Sequence, residues 1–501
     1  MSRVARSAAP VEIWIEQGGS TGEDLARTLE SVAKASSGAH TTIVVVDPAH
    51  ETTGRDVAER FGADVVLARP DLLNERLRAT SANAILWVRR ATILQNAIER
   101  IESALARFPE VVVVGADSRD DRGVRLRRPD DSPLRLRAQD HLGPVVGLRV
   151  DAALRLGGFA AEDASVVLYE LVLRLSEAGA RSMVVPEVLA IEQTPGDASA
   201  RWEAELEVVE GHLRADGVRA VVEATGPGVR RIRYLDDVRP LVSVIIPTRG
   251  TAAEVAGGSR VLVVEAIRGI IERSSYQNLE FVVVADSVTP DDVVDELVGL
   301  LGDRLRLVEW DKPFNFSAKV NHGIAAARGE YLLVLNDDTD LVTGDWIETF
   351  IGLASQRGVG VVGAFLYFED GSIQHAGHLY TGGSPGHVGF KEHGGYDDAL
   401  GSLSVDREVS GVTGACLFVS AEIAREVGGF SLELPGNYND VDFCMKVRAT
   451  GRRIIVSPFV RLYHFESKSR DPRVSVEDTE RLQRRWLRQI QVETYSRMQL
   501  G

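Results

Sequence analysis

The stretch YLLVLNDDTDLV, Tyr331 to Val342, decides how the chain is read: an apolar run opens directly into a cluster of carboxylates. The run predicts a buried strand, and NDDTD the loop at its carboxyl end. Open α/β sheets bind ligands beyond that edge. Asp338 and Asp340, one residue apart, offer two hard oxygen ligands to Mg²⁺ or Mn²⁺. Such an ion holds a diphosphate and neutralises the charge that grows as it leaves. Alternation along an extended segment turns the neighbouring Asp337 elsewhere. Read alone, the same residues also fit a solvated acidic turn, where Asp is common. The rest of the chain separates the two.

A chain of 501 residues exceeds one ordinary core and predicts two or three domains. Its 44% hydrophobic and 26% charged residues are those of a soluble globular protein. No run approaches eighteen consecutive apolar residues, and the start, MSRVARSAAPVEIW, lacks the apolar core of a secretory signal. Cys416 and Cys444 lie inside apolar patterns and read as reduced, buried thiols of a cytoplasmic protein. A net charge of −16 argues against sequence-independent nucleic-acid binding, which needs a basic footprint. Peripheral contact at the inner face of the cell membrane stays open, because Arg122, Arg125, Arg127 and Arg128 form a local basic cluster. Its plainer reading is a solvated loop.

The chain contains one pattern twice. VEIWIEQGG (from Val11) parallels VSVIIPTRG (from Val242), and TIVVVDP (from Thr42) parallels FVVVADS (from Phe281), setting Asp47 opposite Asp286. AILWVRRATIL (from Ala84) lies opposite YLLVLNDDTDL, LRLGGF (from Leu154) opposite REVGGF, and ELVLRLSEAGARSMVVP (from Glu170) opposite DFCMKVRATGRRIIVSP. Five matches in one order mark an internal repeat. Short apolar strands alternate with helical stretches, which predicts two α/β domains with mainly parallel sheets. We divide the chain into a first domain at 1–195, a connector at 196–238, a second domain at 239–470 and a helical tail at 471–501. Only the second copy is acidic: Ala91 and Ile93 stand where it has Asp338 and Asp340, and Leu168 where it has Asp440. The sheet framework therefore does not require those acids.

VSVIIPTR, FNFSAKVNHGIAAARGEYLLVLNDDTD, VTGACLFVS, EVGGF, NDVDFCMKVRATG and LYHFES together resemble family 2 glycosyltransferases of the GT-A fold, over nearly all of 240–470. IQHAGHLY and PGHVGF add a likeness to bacterial enzymes of O-antigen, rhamnan and related surface polysaccharides. The first copy resembles the fold in outline only. The resemblance implies a nucleotide-sugar donor held by Pro247, Thr248, Asp286, Asn321, Asp337 and Asp338, and a metal site at Asp338, Asp340 and His464. It also implies an acceptor site near Gly414 and Ala415. Asp286 and Asn321 each carry a structural alternative, since Asp47 repeats the first and Asn readily caps a helix. Asp440 is the candidate general base, with Asp442 as its orienting partner or its rival. One carboxylate suffices for direct, inverting displacement, whereas retaining hydrolases use a close pair. His375, His378, His387 and His393 can contact the acceptor or shape a lid, and none is singled out.

A haloacid-dehalogenase-type phosphatase also starts with an acidic turn after an apolar strand, but leaves VSVIIPTR and FNFSAKVN without a role. A nucleotidyltransferase brings a glycine-rich, basic phosphate loop, which VSVIIPTRGTAAEV is not. A non-catalytic sugar-binding scaffold fits the first copy. The reading is therefore an inverting, metal-dependent glycosyltransferase with a degenerate N-terminal repeat. It moves a sugar from dTDP-rhamnose or a UDP-sugar to a glycan or lipid-linked acceptor. Sugar, linkage and oligomeric state stay open.

Overall fold

A computed structural model describes residues 11–17, 21–36, 38, 40–193, 199–255, 258–465 and 474–495. The start of the chain, the first residues of the expected connector and tail, and the end of the LYHFES motif lie outside them. The chain forms two compact units, the first ending at Ile232 and the second beginning at Arg233.

In the first unit the main strands are β1 (Val11–Glu16), β2 (Thr42–Val46), β3 (Asp64–Leu67), β4 (Ala84–Arg89), β5 (Ala91–Ile93), β6 (Val111–Arg119), β7 (Val145–Arg149) and β8 (Arg181–Glu192). They lie side by side in the order β3-β2-β1-β4-β7-β6-β8-β5. In the second unit they are β9 (Val242–Thr248), β10 (Leu279–Asp286), β11 (Leu305–Trp310), β12 (Tyr331–Leu335), β13 (Thr339–Leu341), β14 (Val359–Tyr367), β15 (Cys416–Ser420) and β16 (Arg453–His464). Their order is β11-β10-β9-β12-β15-β14-β16-β13, the same permutation. The first four strands along each order run parallel, and the fifth is antiparallel to the fourth. The repeat read in the sequence is thus a repeat of topology. Both units are mixed α/β, as tandem GT-A-like domains require.

Helices cover these sheets, so the central strands are apolar on both faces. Leu332, Leu333, Val334 and Leu335 are fully buried. Each such side chain contributes about 1.5–3 kcal/mol by leaving water. Cys416 and Cys444 are buried and unpaired, and burial pushes both thiols up. No helix among the described residues is long and apolar enough to cross a membrane.

The segment expected as a connector is divided. The helix Ser199–Ala215 and most of the hairpin Ala220–Gly226/Val229–Tyr234 fall within the first unit. The helix buries Val209 and Leu213, and its buried Glu205 accepts from Arg230 of the hairpin at 2.5 Å. Arg230 also donates to the Tyr169 hydroxyl at 2.9 Å. The arginine cluster is largely committed internally. Arg122 pairs with Asp120 (2.9 Å) and Arg125 with Asp117 (2.7 Å), while buried Arg128 pairs with Glu192.

Candidate active site

Three adjacent parallel strands of the second unit, β10, β9 and β12, end on one edge of the sheet. A cleft of about 600 Å³ opens there. Pro247, Thr248 and Arg249 follow β9 into its wall, and Asn336, Asp337 and Asp338 follow β12. Asn315 caps the helix Phe316–Ala326 by accepting from the Ala318 N–H at 2.9 Å. That helix delivers Lys319, whose buried ammonium donates to the Thr248 carbonyl (2.9 Å) and to Asp286 Oδ1 (2.6 Å). Arg249 lies 3.3 Å from Asp286 Oδ2. Asp286 thus anchors two cations and is not among the residues lining the cleft. Burial lowers the Lys319 pKa, while Asp286 and Asp337 oppose the shift.

The acidic turn differs from its expected geometry. Asp337 and Asp338 sit in a turn between β12 and β13 rather than in extended chain, so alternation does not separate them. Asp337 Oδ2 accepts from the Thr248 hydroxyl at 2.6 Å. Burial, with Asp338 beside it, raises the Asp337 carboxyl to about 6. Pairing of Thr339 with His464 between β13 and β16 brings the imidazole to the turn. His464 Nε2 lies 3.1 Å from Asp338 Oδ1 and 3.1 Å from Asn336 Nδ2. Burial raises the Asp338 carboxyl, while His464 beside it and a backbone hydrogen bond lower it, and the net shift is downward. Asp340 is not brought to the cleft. It pairs with Arg273, stays 43% exposed, and lines a second cavity of about 340 Å³ with Arg260 and Arg268, which Asp338 also borders. Once residues 337 and 338 form a turn, two-residue spacing no longer gives one direction.

The fit of a divalent ion can be judged from these donors. Gln374 Oε1 lies 2.6 Å from His464 Nδ1, while Gln374 Nε2 donates to the His464 carbonyl at 3.3 Å. That amide orientation makes Nδ1 the protonated nitrogen of the neutral ring and leaves a lone pair on Nε2. Asp338 Oδ1 is buried and accepts no hydrogen bond. An oxygen and a nitrogen lone pair 3.1 Å apart match neighbouring ligands of an octahedral ion, which stand about 3 Å apart at Mg²⁺-like distances. The residues present fit the cation.

Elsewhere on the same cleft stands Asp440, in the first turn of the helix Asn439–Ala449, which follows left-handed Tyr438 (φ 57°). Its Oδ2 accepts from the Gly414 N–H at 2.9 Å and its Oδ1 from the Val441 N–H at 2.8 Å. Gly414 and Ala415 line the cleft too, and the Ala415 carbonyl accepts from the Asn336 N–H at 3.0 Å. Asp442 is fully buried, accepts from Trp486 Nε1 at 2.8 Å, and lies 3.3 Å from Arg485 Nε. The structure separates the two acids: Asp440 meets the cleft, and Asp442 anchors the helix Val476–Trp486.

Asn321 has a different place from the one expected. Its Oδ1 accepts from the Phe430 N–H and its Nδ2 donates to the Phe430 carbonyl, both at 2.8 Å. The first unit repeats this bracket, with Asn74 holding Phe159 at 2.8 and 2.9 Å. The asparagines clamp the two GGF turns. A Cβ at Gly429 would lie 2.4 Å from Asn321 Oδ1, so glycine is needed there. Lys319, Asn336 and Gln374 carried no role in the sequence reading. They lie inside the motifs FNFSAKVN, NDDTD and IQHAGHLY, which was the signal available.

The first unit keeps the frame without the acids. Ala91, Ile93 and Leu168 are buried, and Glu192, which pairs with Ala91 at the start of β5 as His464 pairs with Thr339 at the start of β13, is held by Arg128 and Ser118. At the end of β4, Arg89 pairs with Asp140 at 2.7 Å, and Asp140 also takes Arg201 at 2.7 Å.

Residues 243–428 match the family model described as Glycosyl transferase family 2. The uncharacterized protein y4gI of Sinorhizobium fredii is 35% identical over 314 residues, 59% of this chain and 33% of that protein. The O-antigen biosynthesis protein RfbC of Myxococcus xanthus is 28% identical over 399 residues, 76% of this chain and 30% of that protein. The chain spans about a third of the length of these curated relatives. Among solved structures, GalNAc-T7 with UDP, GalNAc and Mn²⁺ is similar at 14% identity and a TM-score of 0.39, over 50% of this chain and 49% of that one.

Proposed function

We propose that the second unit, whose residues 243–428 match the Glycosyl transferase family 2 model, transfers a sugar from a nucleotide-diphosphate donor to a hydroxyl of a glycan or lipid-linked acceptor, with inversion. The observation that carries this reading is one cleft that holds the Asp338–His464 pair and Asp440. Asp338 and His464 would hold a Mg²⁺ or Mn²⁺ ion, which when bound supplies positive charge to the diphosphate. Thr248, Arg249 and Lys319 shape the wall beside that end, where Lys319 holds the strand ends together. Asp440 accepts the proton of the acceptor hydroxyl as its oxygen bonds to the anomeric carbon. The bond from that carbon to the diphosphate oxygen breaks, and the nucleoside diphosphate leaves. The Gly414 and Val441 amides fix the carboxylate for this step.

The likeness in IQHAGHLY and PGHVGF favours dTDP-rhamnose, with UDP-sugars next. The first unit serves as a scaffold or acceptor-docking domain, since Ala91, Ile93 and Leu168 stand where the second unit has acids and Glu192 is already tied to Arg128. A donor-hydrolysis screen over nucleotide sugars with Mg²⁺ and Mn²⁺ tests the reading. Hydrolysis of a dTDP- or UDP-sugar that stops with chelator is expected. Activity indifferent to chelator contradicts the metal, and no hydrolysis of any donor contradicts the transfer.

A further inference from the structure

Three histidines crowd the acceptor side of the cleft. His375 ends the short strand Ile373–His375, and His378 faces His387 across the antiparallel strands His378–Thr381 and Ser384–His387. Their ring centroids lie 4.9 to 5.5 Å apart. Ligand atoms within 4.8 Å of one another give the cluster the outline of a metal site. Its hydrogen bonds point elsewhere. The Thr413 N–H donates to His375 Nε2 at 3.2 Å, which requires a lone pair on that nitrogen. In the neutral ring the proton then sits on Nδ1, which faces His387 Nδ1 at 2.7 Å. That spacing is a hydrogen bond, since two nitrogens of a tetrahedral zinc site stand about 3.3 Å apart.

The chain of donors fixes His387 in turn. Its Nδ1 accepts, so its proton is on Nε2, the remaining polar atom of a ring that lines the cleft with Asp440. His378 Nε2 lies 4.0 Å from Asp440 Oδ2. Burial lowers the pKa of all three rings, that of His387 to about 4, and keeps them neutral at pH 7. The cleft therefore presents an uncharged N–H donor and a carboxylate acceptor. An acceptor sugar with two adjacent hydroxyls satisfies both.

We propose that His387 donates from Nε2 to the hydroxyl next to the one that reacts, and that His375 is the positioning residue that sets its tautomer. The inference rests on the transfer reading above and adds an acceptor class, a sugar carrying a vicinal diol. The test uses the full chain, the donor the wild type hydrolyses fastest, and a panel of p-nitrophenyl glycosides with single deoxy members. His387→Leu should lower kcat/KM for the glycoside about 10- to 100-fold, as for one lost substrate hydrogen bond. Donor hydrolysis should fall far less than transfer, and His387→Gln, which restores an N–H at the same reach, should recover most of the loss. The deoxy glycoside lacking the neighbouring hydroxyl should be indifferent to His387→Leu. Nitrogen-15 NMR should show His387 protonated on Nε2 in the wild type and averaged between tautomers in His375→Leu.

Unchanged glycoside kinetics in His387→Leu overturn the inference, and so does an equal loss of donor hydrolysis. A His387 protonated on Nδ1 overturns it as well. Zn²⁺ bound by the Asp338→Ala chain and lost on adding His387→Leu makes the cluster a metal site instead. A wild type that hydrolyses no donor fails one step earlier, at the transfer reading itself.

Discussion

Replacing Asn321 by alanine removes two 2.8 Å hydrogen bonds and leaves the buried N–H and carbonyl of Phe430 without their partner. An unsatisfied buried polar group costs about 1–3 kcal/mol, so the pair predicts a loss of about 2–6 kcal/mol. The ring of Phe430 stacks on Phe443 with centroids 4.5 Å apart, so a loosened turn also disturbs the helix that carries Asp440. Asn74→Ala makes the same change in the first unit and should cost a similar amount. Urea unfolding followed by tryptophan fluorescence measures both, and donor affinity is read separately by calorimetry on the folded variants. A structural clamp predicts lower stability in each variant with donor affinity kept at temperatures where the protein stays folded. An Asn321→Ala chain of wild-type stability with weakened donor binding would refute the clamp and return Asn321 to the donor site.

Other outcomes follow from the same geometry. Lys319→Met strips a buried cation from Asp286 and should cost about 3 kcal/mol in urea unfolding, and Lys319→Met with Asp286→Leu should recover part of it. Asp442→Ala should release the helix Val476–Trp486, seen as faster proteolysis near Trp486, while donor hydrolysis persists; lost hydrolysis with an intact helix would make Asp442 the base. His141 is buried and its pKa is lowered to about 3 from 6.5. Between those values the unfolded chain binds a proton that the folded chain refuses, so stability falls as pH falls through that window. The slope is about 1.4 kcal/mol per pH unit for each such histidine. His141→Gln should lose less stability than the wild type between pH 7 and 5, and an equal loss contradicts the assignment.

Most of the frame was legible in the sequence because it rests on short-range patterns. Apolar runs, the GGF turns and the order of five matched segments were enough to predict two similar sheets, and all sixteen main strands fall in one repeated order. Asp338, His464 and Asp440 meet at one cleft, and each lies in a motif that had already drawn attention to it. The site was not legible where direction depends on a turn. Alternation turned Asp337 away from the cleft and kept Asp340 with Asp338, and both fail because residues 337 and 338 leave the extended conformation; no spacing rule carries through a turn. Asn321 was misplaced because its partner Phe430 lies 109 positions away. Asp286 reads like a ligand at a strand end, but Lys319 and Arg249 already occupy its two oxygens. Asp440 and Asp442 differ only in which face of one helix meets the helix Val476–Trp486, a fact of packing.

The most direct test of the account is single-turnover transfer by Asp440→Asn, with donor binding measured on the same protein. The new side-chain amide keeps one of the two backbone bonds that hold Asp440, and Asp338 and His464 are untouched, so donor and metal affinity should match the wild type. The rate of transfer should fall by about 10²–10⁴, the usual worth of a positioned base. Transfer near the wild-type rate, with the donor bound as before, would contradict the assignment of Asp440 as the group that takes the acceptor's proton.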